Sequence, residues 1–219
     1  MKSSPKNIFS EHIAKEFTID KLIKLHEAIA AQLVTHERFI TDVYDDVIKP
    51  FSRPQYQYFA IIQAAQESMV NLIDASYRLK NTEPKGGIYP LIELPSFSII
   101  PRRSGTMQSY RKANYLKNKA VNNAMFEQAM PDLFDVIENP NIARSDRVFM
   151  ILDVFVDEDN QPHLNFLLPS TDLKTIHLII SFEEIIQMQF QHEDNNPQIQ
   201  PAAPTLKKTL QELDAQVSQ

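Results

Sequence analysis

The chain has 219 residues and a formal charge of −6, from 22 Lys and Arg against 28 Asp and Glu. It has no cysteine and three glycines, Gly86, Gly87 and Gly105, which excludes thiol catalysis, disulfides, cysteine-ligated metal and the glycine-rich loops that cradle phosphate. With 43% hydrophobic and 23% charged residues, the composition is that of a globular protein able to bury a sizeable core.

The first ten residues lack the apolar core of a signal peptide, and no run of about 18 apolar residues follows, so a soluble, cytoplasmic protein is expected. Apolar or partly apolar residues then recur at Leu22, Leu25, Ile29, Leu33, His36, Ile40, Val43 and Val47. Steps of three and four make the stripe of an amphipathic helix, with Thr18 as its expected N-cap and Pro50 and Pro54 as its stop. A second stripe runs through Phe59, Ile62, Gln66, Met69, Ile73 and Tyr77. The short link Phe51 to Pro54 predicts that the two helices, over about 19–80, fold back as a long antiparallel hairpin.

A turn cluster at Asn81 to Gly87 ends this region. The stretch Ile88 to Ile100 is rich in Ile and Leu but cut by Pro90 and Pro95, and reads as an irregular or edge strand. A third helix is expected over about 106–130, closed by Pro131, with a short helical turn through Glu138. Clear β alternation follows. Val148, Met150, Leu152, Val154 and Val156 share one parity, as do Leu164, Phe166 and Leu168, and again Ile176, Leu178, Ile180 and Phe182. With hairpin-like links at 158–162 and 169–174, this predicts a three-stranded antiparallel meander over about 147–182. Ser181 and Glu184 match a capping box opening a short helix.

From 192 to 204 the composition turns to Asn, Gln, Pro and acid, which reads as a linker. Leu206, Leu210, Leu213 and Val217 then make an amphipathic helix over 205–219, capped by Thr205. It is too short to stand alone, so it must dock on its own body, a second copy or a partner. The expected architecture is α+β: one domain over 1–191 in which the hairpin packs on the meander, then the tethered helix.

The most informative stretch lies between Glu93 and Glu127. No acidic residue falls inside it, while Arg102, Arg103, Arg111, Lys112, Lys117 and Lys119 do. Without those six the rest of the chain would be twice as acidic, so positive charge is concentrated where something negative can dock. On a continuous helix, Ala113, Leu116, Ala120 and Ala124 would pack inward. Lys112, Tyr115 and Lys119 would face out, beside Arg111, Asn118 and Asn122. Such a face, with Arg102 and Arg103 as an arm, suits phosphates and stacked bases. The competing reading is that these cations neutralise the acidic body or a second subunit, and the sequence favours it.

Asp153, Asp157 and Asp159 share the polar parity of their strand, with His163 across the turn, a pattern able to hold Mg²⁺ for phosphoryl chemistry. Acidic residues are also common in hairpin loops for turn and solubility reasons. His12, His26, His36, His163, His177 and His192 show no metal-ligand spacing. The sequence therefore points to a non-catalytic interaction or binding protein, with self-association or a protein partner expected and no cofactor or metal. A nucleic-acid-binding protein using 102–119 is the alternative, and a metal-dependent phosphoryl-transfer enzyme or nuclease using Asp153, Asp157 and Asp159 the second.

Overall fold

The computed structural model describes residues 5–69, 75–124, 127 and 147–194. Helix α1 (Pro5–Phe17) places Phe9, Ile13 and Phe17 four residues apart on one buried face. Helix α2 (Ile19–Val43) buries Leu22, Leu25, Ile29, Leu33 and Ile40. Thr18 between them does not cap α2. It makes no side-chain capping bond, and its φ of 56° lies where β-branched residues are rare. Phe17 and Leu22 must both enter one core, and the chain turns at Thr18 to let them.

Helix α3 (Lys49–Met69) corrects the expected link. Pro50 lies in the first turn of α3, where a missing N–H has no intrahelical acceptor to lose, and Pro54 lies inside the helix, so both belong to α3 rather than to a stop after α2. Helix α3 buries Ala60, Ile61, Ala64 and Ala65 against the same core. Side-chain bonds tie it to α2 and to the link that follows α2. Gln32 donates to Glu67 at 3.2 Å, Arg53 grips Glu37 through two bonds of 2.7 and 2.9 Å, and Tyr44 meets Tyr56 at 3.1 Å. The expected extension of this helix to residue 80 is also corrected. Residues 76–81 are a strand in which Tyr77 packs on the core while Arg78 points away.

The sheet has six strands, not three: β1 (Ser76–Asn81), β2 (Ile88–Glu93), β3 (Phe97–Arg103), β4 (Val148–Val156), β5 (Pro162–Pro169) and β6 (Ile176–Ser181), in that spatial order. Neighbours are antiparallel except the central pair β3–β4, which is parallel. Of the three added strands, β1 replaces the end of the expected second helix, and β2 and β3 come from the proline-cut stretch. Pro95 and Ser96 form the β2–β3 turn, closed by Leu94 N donating to Phe97 O at 2.8 Å. Pro90 is accommodated opposite Leu79, and Pro101 opposite Leu152. Strands β2 and β3 pair only at Ile92–Ile99 and Glu93–Ser98, so Pro101 stands beyond the ladder its missing N–H could not serve.

Both faces of the sheet are covered. Even-numbered residues of β4, from Val148 to Val154, join α1, α2, α3 and the helix α6 (Phe182–Asp194) in the larger core. Phe149 and Ile151 join a second core under α4 (Met107–Lys112) and α5 (Asn114–Ala120). An apolar run buried on two faces is what the continuous Val148–Leu152 sequence encodes. Helix α6 opens with a reciprocal capping box: Glu184 N donates to Ser181 Oγ, and Ser181 N to Glu184 Oε2. Among the described residues no helix is long and apolar enough to cross a membrane.

The expected continuous helix over 106–130 is corrected as well. It breaks at Ala113, whose backbone is extended, into α4 and α5, followed by a 3₁₀ turn at Val121–Asn123. Tyr110 and Leu116 are six residues apart and would point to different sides of one straight helix. The break lets Tyr110, Leu116 and Ala120 all reach the second core. Asn123 then locks the turn to the sheet: its Nδ2 donates to Phe149 O at 3.0 Å and Pro169 O at 2.9 Å, and its Oδ1 accepts from Phe149 N at 2.8 Å.

Candidate functional site

Strands β2 and β3 splay apart beyond their two paired residues, and a cleft of about 520 Å³ opens at the splay. That is within the roughly 300–1,000 Å³ of small-molecule pockets. Its walls are α3 (Pro54, Tyr58), the β1–β2 hairpin (Thr82, Gly87, Ile88), the end of β3 with the loop into α4 (Arg102 to Thr106), and Ser109 and Tyr115. Alternation along β3 sends Arg102 to the α4–α5 side and Arg103 to the α3 side, so the two guanidiniums flank the end of one strand.

Each arginine is held by a neutral partner. Arg103 Nε donates to Gln57 Oε1 at 2.7 Å. Arg102 Nη1 reaches the Tyr115 hydroxyl at 3.4 Å, and its guanidinium lies 5.1 Å from the centre of the Tyr110 ring. Among the described residues no carboxylate stands within ion-pair distance of either. Tyr115 is fixed on its other side by Tyr89, stacked at 4.4 Å between centroids and 15° between planes.

Beneath the cleft lies a buried polar relay. Tyr110 donates a short hydrogen bond to Asp153 Oδ1, and its hydroxyl accepts from Gly105 N at 3.1 Å. Asp153 is the register partner of Arg102 on the neighbouring strand. Burial pushes its carboxyl above the usual aspartate value, against the opposing bonds from Tyr110 and Ser104 and the charge of Arg102. Burial likewise holds the phenols of Tyr110 and Tyr58 well above their ordinary value. Tyr58 donates to Ile88 O at 2.9 Å, tying α3 to the hairpin. The relay thus sets the position of Arg102 from below while the cleft stays lined by hydroxyls, a backbone turn and two cations.

No family model matches the chain, and no curated protein or solved structure is similar to it.

The basic residues singled out in the sequence do not form one surface. Arg102, Arg103 and Tyr115 line the cleft. Arg111 and Lys112 end α4 in solvent, turned away by the break at Ala113. Lys119 is half-buried on α5, where burial first and then Lys80 lower its pKa, against Glu93. The acidic trio is also divided. Asp153 lies under Tyr110, whereas Asp157 closes the β4–β5 loop by accepting from Asp159 N and Gln161 N and bonding His163 Nε2 at 3.1 Å. Asp153 and Asp157 are four residues apart on extended chain, about 13 Å, too far to share one ion. Asp159 instead lines a smaller recess of about 270 Å³ with Glu37, Arg38 and Asp42. Among the described residues no three His, Asp or Glu side chains gather as metal ligands. The helix carrying Leu206, Leu210, Leu213 and Val217 lies outside the described residues.

Sequence reasoning missed Gln57, Tyr58, Thr82 and Tyr89. They come from α3, the β1–β2 turn and β2, which are distant in sequence from most of the basic segment and meet it only in the folded protein. Tyr89 carried a faint signal in its alternation with Leu91, but only with β2 recognised as a strand.

Proposed function

We propose that this protein is a non-catalytic binding protein whose cleft at Arg102 and Arg103 takes an anionic, phosphate-bearing ligand. The supporting observation is that two guanidiniums open into one cleft with only Tyr115 and Gln57 as partners. Arginine forks hold phosphate by paired N–H bonds, and the Thr106 hydroxyl, which accepts from Ser109 N, keeps its own proton to donate into the same space. Titration calorimetry with inorganic pyrophosphate at ~50 mM salt tests the reading. Wild type should bind, and Arg102→Glu with Arg103→Glu should lose at least tenfold in affinity. Equal binding by that variant, or no heat from wild type, would discard the cleft as an anion site.

A second reading, self-association, is favoured by a different observation. Around the α2–α3 link, Val47 and Phe51 are 78% and 81% exposed, with Phe39, Val43 and Ile48 beside them. An apolar patch rimmed by both signs of charge, Arg38 and Lys49 against Asp42, Asp45 and Asp46, can face a copy of itself across a two-fold axis. The C-terminal residues Leu206, Leu210, Leu213 and Val217 remain part of this reading as a segment in need of an apolar partner.

A further inference from the structure

The second face of the sheet carries a line of positive charge that continues from the cleft. Strand β1 is a sheet edge, and its Arg78 and Lys80 stand opposite Leu91 and Tyr89. Cross-strand partners share a face, and Leu91 and Tyr89 belong to the second core. Both cations therefore project on the side of α5. Helix α5 places Lys119 one turn past Tyr115, whose ring already lies on Tyr89. Arg147, just before β4, pairs with Glu93 at 3.3 Å, and its buried Nε has no hydrogen-bond partner among the described residues. Glu93 also accepts from Ser76, so one carboxylate is shared among several donors. Over Met107–Ala120 there are four basic residues and no acidic one.

This makes two cationic places along β2: the cleft at one end, entered by Arg102 from this face and by Arg103 from the other, and the Arg147–Lys119 cluster at the far end. Tyr89 and Glu93 are separated by about 13 Å of strand. A compact anion fills one place or the other. A chain with regularly spaced negative charge spans both, and the partly exposed ring of Tyr115 in the cleft wall between them is a surface for a planar base. Lys119 is half-buried beside Lys80 and Arg147, with Glu93 opposing them, and a bound phosphate would add counter-charge there.

We infer that the ligand is a single-stranded nucleic acid whose phosphates run from Arg102 and Arg103, past Tyr115, to Lys80, Lys119 and Arg147. The inference rests on the cleft reading above and extends its site. The cleft is bounded by α3 on one side and the β1–β2 hairpin on the other. Each phosphate contact releases condensed counterions, so binding weakens with salt, and screening of the repulsion from the acidic remainder offsets part of that loss.

The test is fluorescence anisotropy of a labelled twelve-residue oligo-dT on the full chain, from ~50 to ~200 mM salt. Five phosphate contacts predict a slope of log affinity on log salt near −3.5, at about −0.7 per contact for single strands. Lys80→Glu with Lys119→Glu should lower oligonucleotide affinity at least tenfold and flatten the slope toward about −2, while pyrophosphate binding in the cleft stays within twofold. Lys80→Gln with Lys119→Gln, milder for folding, should show the same direction. Wild-type affinity and slope in both variants would overturn the inference while leaving the cleft reading intact. So would a poly-glutamate peptide of equal charge that binds as tightly as the oligonucleotide. Failure of pyrophosphate to bind wild type removes the cleft reading itself.

Discussion

Asp153 is the residue where chemistry and packing conflict most directly. It is 7% exposed, on a strand whose neighbours are Val, Leu and Phe, and it is held there by Tyr110 and the loop into α4. Burial raises its folded-state pKa, so folding favours the protonated form. The contribution of that protonated form is complete at low pH and is lost as pH rises through the folded value. Asp153→Asn keeps an oxygen for Tyr110 and removes the charge. Its urea midpoint should match wild type near pH 4 and exceed it at pH 8. A gain of equal size at both values would mean that ionisation of Asp153 plays no part. The sequence placed Asp153 on a polar parity, but in the fold that parity is shared with Phe149 and Ile151 and faces the second core, because α4 covers that side of the strand.

At the scale of the element, the break at Ala113 and the lock at Asn123 decide what the basic segment presents. Composition made 106–130 look like one helix, because Lys, Arg, Ala and Leu all favour helix and nothing inside is a strong breaker. Tertiary contact overrides that preference: Tyr110, Leu116 and Ala120 fit the sheet only if the axis is redirected. Within α5 the helical spacing was legible, and Tyr115 and Lys119 do lie one turn apart. Across the break it was not, and Arg111 and Lys112 leave the site. Asn123 is buried with three bonds to the β4 and β5 backbone. Asn123→Ala strands those groups and should cost roughly 2–4 kcal/mol in chemical denaturation. A cost below 1 kcal/mol would show that water or neighbouring backbone replaces the side chain.

For the whole molecule, a six-stranded sheet separates two surfaces of different character. The α2–α3 side ends in an apolar patch, and the α4–α5 side carries the basic line. Self-association draws on Val47 and Phe51 and anion binding on Arg102 and Arg103, so each is tested by its own variants. If the apolar patch joins two copies, sedimentation velocity should show a concentration-dependent dimer that Val47→Asp with Phe51→Asp reduces to monomer. Both side chains are exposed, so folding should survive the change. A wild type that stays monomeric throughout would rule the patch out as a self-interface. The double variant should still bind pyrophosphate, because Arg102 and Arg103 lie on other elements.

Local pattern alone determined the helical stripe of Leu22 to Ile40, the alternation of β4 and β5, the capping box at Ser181 and the concentration of positive charge between Glu93 and Glu127. Each depends on residues within a few positions of one another, where periodicity and hydrogen-bonding reach are set by the backbone itself. Tertiary structure decided which of those charges share a site. Arg102 and Arg103 meet Tyr58 and Gln57 because β3 passes α3, and Lys119 meets Lys80 and Arg147 because α5 lies across the second face of the sheet. It also decided that the proline-cut stretch is β2 and β3, since a strand is stabilised by partners distant in sequence and tolerates proline where the ladder ends. The cleft exists only because those two strands part, and no local property of either one carries that information.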